Sequence, residues 1–491
     1  MQKIKKFLKA DNVAFALIAV FVIIFTLLSF GRHDSLKSYL NDLGTYDQVI
    51  WNTLHGRFFQ MTVSMLDEKN YLGAHFSPIL LFFVPFYAIL ASPKWLLFFQ
   101  ALSAGLGGVP IYWYAKEKLK KAHFALVFLA AYLCYPFLLN GILYDFHEVV
   151  FAVSFAAFAF YFMEKENYRL FVFFSVLLAL TQEHLVLLVF MMGLCLIFIK
   201  GRRKIGAIVS VASLAYFFLV MTVLMPHFSS TGSSALIANN STYPARYAWL
   251  GSSFGEILKN IVTHPVQIVQ ILLSPDRVNY LFELIIPTFS LALYAWPILI
   301  LLPLVAINLL SAIPMTFNVY FYHSAVMAPF IFFAAIITFR RWFLGNRLLE
   351  NIFLTCLLAA SVISAFAWSV TPFSTHYSLA DYIPDTHAQN IEIVKSLIPS
   401  DAVISVQHNL GPHFSERAEL YRFPLHYQDA QYVVLDTTDP YRNDPRQLFQ
   451  FEYALQTSVD DLDAKIEELK KSPDRSLIYD TDGYLVFKKN N

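Results

Sequence analysis

Apolar runs of 13 to 21 residues follow one another along most of the chain, broken by short polar stretches. They lie at about 13–30, 94–114, 123–143, 148–163, 169–181, 185–199, 205–225, 281–296, 297–313, 324–339 and 349–369. A straight helical crossing of a bilayer needs roughly 20 apolar residues, so the pattern predicts about eleven membrane helices, the shorter ones tilted or enclosed by neighbours. Residues 78–92 (PILLFFVPFYAILAS) are apolar but short, and read as a helix in the outer interface or a re-entrant one. From Thr371 the texture becomes that of a soluble α/β domain. There the pattern predicts a helix at Gln389–Ile398, strands at Ala402–Gln407 and Tyr432–Asp436, and helices at about 445–456 and 460–471. A closing hairpin pairs Ser476–Tyr479 with Tyr484–Phe487 through Asp482-Gly483. The expected fold is therefore mainly α: a polytopic helix bundle over 1–370, and a small extracytoplasmic α/β domain over 371–491. The bundle carries a first outer loop at 31–93 and a second long one at 227–280.

Composition agrees. Hydrophobic residues make up 57% of the chain and charged residues 14%, against about a quarter charged in soluble domains; mean hydropathy is +0.52. The net charge of +1 hides an asymmetry: from residue 380 onward there are 19 acidic and 11 basic side chains, leaving 16 and 25 elsewhere. Basic residues cluster at the N-terminus, Lys116–Lys121, Glu164–Arg169, Lys200–Lys204 and Arg340–Arg347. With residues 78–92 not crossing, all five fall on one side, which the positive-inside rule makes cytoplasmic. The N-terminus is then cytoplasmic and the C-terminal domain outside. The first run follows four lysines like a signal peptide, but Arg32-His33-Asp34 comes next in place of a small-residue cleavage site, so it reads as an uncleaved span. Cys134, Cys195 and Cys356 all lie in apolar runs and offer no disulfide framework. Nothing in the charge pattern suggests nucleic-acid binding, and no Walker loop, dinucleotide glycine motif or nucleophile elbow is present.

The same topology places six polar islands on the outer face. Ionisable groups beside hydrocarbon are costly, roughly 2.5–3.5 kcal/mol each at mid-membrane, and mark candidate function. Asp42 and Asp47 follow the first span; a carboxylate there could deprotonate an acceptor or hold a divalent cation such as Mg or Mn, while Asp42 could equally cap a helix. His75 stands before Ser77-Pro78, where it could meet a phosphate or simply close a loop. Tyr144, Asp145, His147 and Glu148 crowd one turn, with Asp145 and Glu148 on one face if the turn is helical. Gln182-Glu183-His184 splits an apolar stretch where a smaller polar residue would suffice to turn. The loop around Tyr243 to Arg246 brings an arginine among aromatics, and His323 lies beside Tyr322. Which metal these residues would hold, if any, the spacing does not say.

These islands also carry a resemblance. DLGTYDQVIWNTLHGRFFQ, NYLGAHFSPILLFFVPFYAIL, LYDFHE, LIPSDAVISVQHNLGPHFSERAELYRFP and QYVVLDTTDP resemble the membrane family known as domain of unknown function 2079. Members of that family commonly show a Lys-Glu-Asp-like turn where this chain has Gln182-Glu183-His184. The family in turn is similar to the GT-C superfamily of integral membrane glycosyltransferases. That similarity implies a lipid-phosphate-linked sugar donor, an acidic residue in the first outer loop (here Asp42 or Asp47), and His75-Phe76-Ser77-Pro78 at the start of an interfacial helix. The expected function is glycosyl transfer from a polyprenyl-phosphate sugar at the outer face of the cell membrane. Asp42 or Asp47 would be the base or metal ligand, His75, Glu148 and Glu183 would help hold phosphate or a divalent ion, and Arg246 would meet the anionic charge. A transporter would instead predict polar residues in mid-span and paired broken helices; a non-catalytic scaffold would make the two aspartates dispensable.

Overall fold

The computed structural model describes residues 2–63, 68–232, 246–251, 253–438 and 459–490. The helix expected at 445–456, and Tyr243, lie outside them. Two compact units emerge. The first comprises Met1–Leu27, Leu72–Ile79 and Leu97–Ser378; the second comprises Leu28–Tyr71, Leu80–Leu96 and Leu379–Asn491.

The first unit is a bundle of apolar helices. Among the described residues five helices are long and apolar enough to cross a membrane: Lys9–Asp34, Lys94–Leu119, Arg203–Phe228, Ala325–Trp342 and Arg347–Trp368. The pair Ala122–Leu133 and Pro136–Tyr144 makes a sixth, bent by 45° because Pro136 has no N–H to give the preceding turn. Tyr168–Ala179, Val186–Phe198 and Trp296–Leu310 are shorter apolar helices. The first helix shows why the segment belongs in lipid. Ala14, Ile18, Phe21 and Phe25 form a buried stripe at helical spacing, whereas Phe15, Val20, Ile23, Ile24 and Leu27 on the other side are exposed. A helix apolar all round with only one stripe packed needs an apolar solvent. The run at 281–296 departs from expectation. A helix spans Pro275–Ile285 and short 3-10 turns follow, since Pro287 cannot donate and Phe289 and Ser290 adopt left-handed φ of 51° and 58°. The apolar piece Pro78–Ile89 is 12 residues of helical turns, too short for a straight crossing.

Ion pairs tie the basic clusters together at one end of this unit. Lys116 pairs with Asp11 (2.6 Å), Lys118 and Lys200 with Glu164 (3.9 and 2.5 Å), and Lys121 with Glu350 (2.6 Å). The clusters at 116–121, 164–169 and 200–204 are thus joined, and the first also reaches Asp11 and Glu350, which lie beside the N-terminal and 340–347 clusters.

Val186–Phe198 and Arg203–Leu219 pack backbone to backbone: a Cβ on Gly206 would stand 2.7 Å from the carbonyl oxygen of Gly193. Small residues permit such close crossings. Gly206→Leu is expected to force the two helices apart and to cost about 1–3 kcal/mol or more, read as a fall in thermal unfolding temperature; an unchanged midpoint would contradict the packing.

The second unit is built on a five-stranded mixed sheet, β1 (Ile404–Val406), β2 (Leu420–Arg422), β3 (Tyr432–Asp436), β4 (Arg475–Thr481) and β5 (Tyr484–Lys489), in the order β2-β1-β3-β5-β4. β1 runs parallel to β2 and β3; β5 is antiparallel to β3 and β4. Central β3 is buried along its length. On one face Ile404, Val406, Val434 and Val486 pack against Ile391 and Val394 of a short helix, and against Leu36, Leu40 and Val63. On the other, Val433, Leu435, Leu485 and Phe487 meet Leu462, Ile466 and Leu469 of the helix Val459–Lys471. Thr62 completes the β2 edge, its hydroxyl donating to the Leu420 carbonyl (2.7 Å) and accepting from the Leu420 N–H (2.9 Å).

Candidate functional site

The polar groups of the first unit meet where its helices turn. Residues 75–78 pass beside the turn at 181–185, to which the Ile79 N–H is bonded through the Leu180 carbonyl (3.1 Å). Glu183, almost wholly buried, receives His75 Nδ1 on one oxygen (3.2 Å) and the Phe76 N–H on the other (3.0 Å). His184 Nδ1 lies 3.8 Å from the first of these oxygens. The Gln182 amide stands 3.2 Å from the same Nδ1; with its oxygen turned to the ring it shares, as a second acceptor, the one proton that Nδ1 gives Glu183. Ser77, two residues beyond His75, donates to buried Glu148 (2.8 Å).

Glu148 starts a helix after an extended stretch, and Asp145 has φ 176° and ψ −173°. The helical turn that would place Asp145 and Glu148 on one face is therefore not formed. The cause is Gln100 on the Lys94–Leu119 helix, which draws the turn out as a pulled loop. Its amide nitrogen donates to the carbonyls of Ile142 (3.1 Å) and Asp145 (2.7 Å), and its oxygen accepts the His147 N–H (2.7 Å). Asp145 is buried. His147 is buried too and lies flat on Tyr322, ring centroids 3.3 Å apart. Tyr144 leans on Tyr322, Phe321 and His147, and His323 stacks on Tyr322 at 4.2 Å.

Burial and neighbouring charge act together on these groups. Burial would lower the His75 imidazole, but the charge and hydrogen bond of Glu183 and the charge of Glu148 raise it above its ordinary value, against Arg246. Burial would raise Glu183, yet His75 and His184 hold it far below the carboxylate range. His323 is driven well below its ordinary value by burial, then by Arg246, His147, His184 and His75. The unit thus gathers one guanidinium and four imidazoles about two buried carboxylates, a set able to hold an anion beside a fixed ion pair. Among the described residues no three His, Cys, Asp or Glu side chains are grouped so as to hold a metal ion.

Asp42 and Asp47 belong to the second unit. Asp42 does not cap a helix: it sits inside the single π-helical turn Leu40–Gly44, half-buried, ahead of the helix Thr45–Leu54. Asp47 is fully enclosed, taking the Tyr87 hydroxyl on one oxygen and the Ser415 hydroxyl on the other, both at 2.6 Å. Burial, reinforced by nearby Glu416, pushes it up to about 8 against the pull of those two bonds and of Lys395. Ser77 and Tyr322 lie within the polar islands of the sequence but not among its candidate site residues, and Gln100 lies outside the islands. Gln100 still carried a signal, as an isolated amide within an apolar helix.

A helical bundle with a small sheet domain and a polar cluster at its helix ends defines a polytopic membrane protein. The chain belongs to the family described as predicted membrane protein (DUF2079), whose sequence model matches residues 32–462. No curated protein matches it. Its fold is similar to that of ArnT from Cupriavidus metallidurans, crystallised bound to undecaprenyl phosphate, with a TM-score of 0.53 at 10% sequence identity over 96% of this chain and 98% of that one. At that identity the likeness is one of fold.

Proposed function

We propose that this protein is a membrane glycosyltransferase that takes a sugar from a polyprenyl-phosphate carrier on the extracytoplasmic face. The observation that carries the reading is the convergence of Arg246, His75, His147, His184 and His323 around buried Glu148 and Glu183. A lipid phosphate needs several donors and a positive field at a helix end, and these groups supply both. The ArnT likeness supports it, since that enzyme was crystallised with a polyprenyl phosphate. The ion pairs that join the basic clusters of the first unit support a cytoplasmic N-terminus.

In the reaction the sugar C1–O bond to phosphate breaks, a C1–O bond to the acceptor hydroxyl forms, and the acceptor proton passes to a carboxylate. His75 and Arg246 would stabilise the departing phosphate. Of the two first-loop acids Asp42 is the candidate base, because Asp47 has no exposed surface and both its oxygens are occupied. The test is twofold: binding of undecaprenyl phosphate to the purified protein, and its release from a panel of undecaprenyl-phosphate sugars. Arg246→Ala and His75→Ala are expected to weaken binding about tenfold each, roughly 1.4 kcal/mol. Asp42→Asn is expected to bind normally and release nothing. Binding indifferent to the first two, or turnover surviving the third, would overturn the assignment.

A further inference from the structure

Between the site and the helix Pro275–Ile285 lie two helices, Phe254–Thr263 and Pro265–Leu272. Ser253 caps the first by accepting the Glu256 N–H, and Pro265 opens the second at the position where a missing N–H does no harm. Both ends of this arm are fastened to one stretch of chain. At the start, Tyr247 and Trp249 donate to the carbonyls of Ile307 and Leu310 (2.9 Å each), and the Ala312 N–H donates to the Arg246 carbonyl (2.8 Å). At the far end, Arg277 donates to the carbonyls of Leu309 (2.6 Å) and Ser311 (2.9 Å).

The apolar arc of the arm is wider than the protein covers. Ile257, Ile261, Ile268, Ile271 and Leu272 are half-buried. Leu258, Val262, Val266, Val269 and Leu273 continue the same arc outward and are 50–77% exposed. The polar residues Glu256, Lys259, Thr263, Gln267 and Gln270 fill the remaining sector. Val278 and Phe282 of the next helix are 46% and 53% exposed as well, so the uncovered apolar surface does not end with the arm, as a patch cut for one protein partner would.

We propose that Phe254–Leu272 is an in-plane amphipathic arm seated at the boundary between headgroups and acyl chains, with the bilayer itself as the occupant of its uncovered apolar face. Because Arg246 lies at the root of the arm, seating it fixes the backbone that carries the single guanidinium of the imidazole cluster; this consequence rests on the function proposed above, whereas the seating does not.

The test uses the full chain in phospholipid nanodiscs. Single cysteines are placed at Val262, Val266, Val269, Lys259, Thr263 and Gln267 in a background with Cys134, Cys195 and Cys356 replaced by alanine, and spin-labelled. The ratio of oxygen to nickel-chelate accessibility should be about threefold or more higher at the first three positions than at the last three. Nickel access at 262, 266 and 269 equal to that at 259 would mean water and would overturn the proposal. Exclusion of both reagents there would mean a protein partner, a second copy included, and would overturn it equally. Should the cysteine-free background fail to fold, the wild-type chain is irradiated with a phospholipid bearing a carbene precursor near the glycerol end of its acyl chain; cross-links within 254–273 are expected, and their absence contradicts the seat. Either readout is independent of turnover, so its failure and that of the transferase reading are separable.

Discussion

Glu183→Gln should weaken undecaprenyl phosphate binding at least about tenfold at pH 7.5 and destabilise the bundle by about 3 kcal/mol, at the low end of the cost of breaking a buried ion pair. The amide preserves shape and still accepts the Phe76 N–H, so the loss isolates the charge. Without that charge only Glu148 still raises His75 against burial and Arg246, and its imidazole shifts toward the neutral form. The sign of the pH dependence follows. In the wild type His75 is raised, so the pair's contribution is complete below about 6.5 and fades as pH climbs through the elevated value. Glu183 is depressed, so its share is present above about 4.5 and fades only in strong acid. The variant loses both. Its binding deficit relative to wild type should therefore shrink as pH falls below 6, when His75 recovers its proton without help. Measuring both proteins at each pH removes the titration of the lipid phosphate itself. A deficit constant from pH 5.5 to 8 would show that Glu183 acts by packing alone.

Much of this arrangement could be read from local pattern, and the rest could not for reasons visible in particular residues. Tyr432–Asp436 appears as a strand because Val-Val-Leu between polar flanks is the signature of a strand buried on both faces, which β3 is. Asp482-Gly483 marked the hairpin because glycine takes the positive φ of 82° the turn requires. The islands could be grouped because a polar residue at the end of an apolar run has few places to go. By contrast β2 is three residues long and ends in Arg422, fully buried, which no hydropathy window takes for a strand interior. That Leu36, Leu40 and Val63 would join the core beneath β1 and β3 depends on pairings hundreds of residues apart. The same holds for Gln100, whose bonds to residues 142–147 turn an expected helical corner into extended chain.

Asp47 supplies the second large effect. Its ordinary value is 3.8 and the folded protein raises it to about 8, so across that interval the native state holds a proton that the unfolded chain has released. A group raised on folding stabilises fully below its unfolded value and loses that contribution as pH climbs to the folded one. Wild-type stability should therefore fall, through this residue, by up to roughly 1.4 kcal/mol per pH unit between 4 and 8. Glu416, itself raised chiefly by its burial, pushes in the same direction, while Lys395, Tyr87 and Ser415 oppose it. Asp47→Asn removes the titration and keeps the shape. Its carbonyl can take the Tyr87 hydroxyl, and its amide can donate to Ser415, whose own proton has the Pro412 carbonyl at 3.1 Å to turn to. The difference in unfolding free energy, variant minus wild type, should rise steadily from pH 4 to 8 and level off above. Asp47→Ala leaves the Tyr87 hydroxyl facing a cavity, while Ser415 turns to Pro412, and should lose roughly 1–3 kcal/mol near pH 5 for that one unpaired group. If Asp47→Asn instead tracked wild type in parallel at every pH, the carboxyl would be ionised in the fold. Its enclosure would then have to be offset by a cation, and the assignment of the base to Asp42 would lose its physical ground.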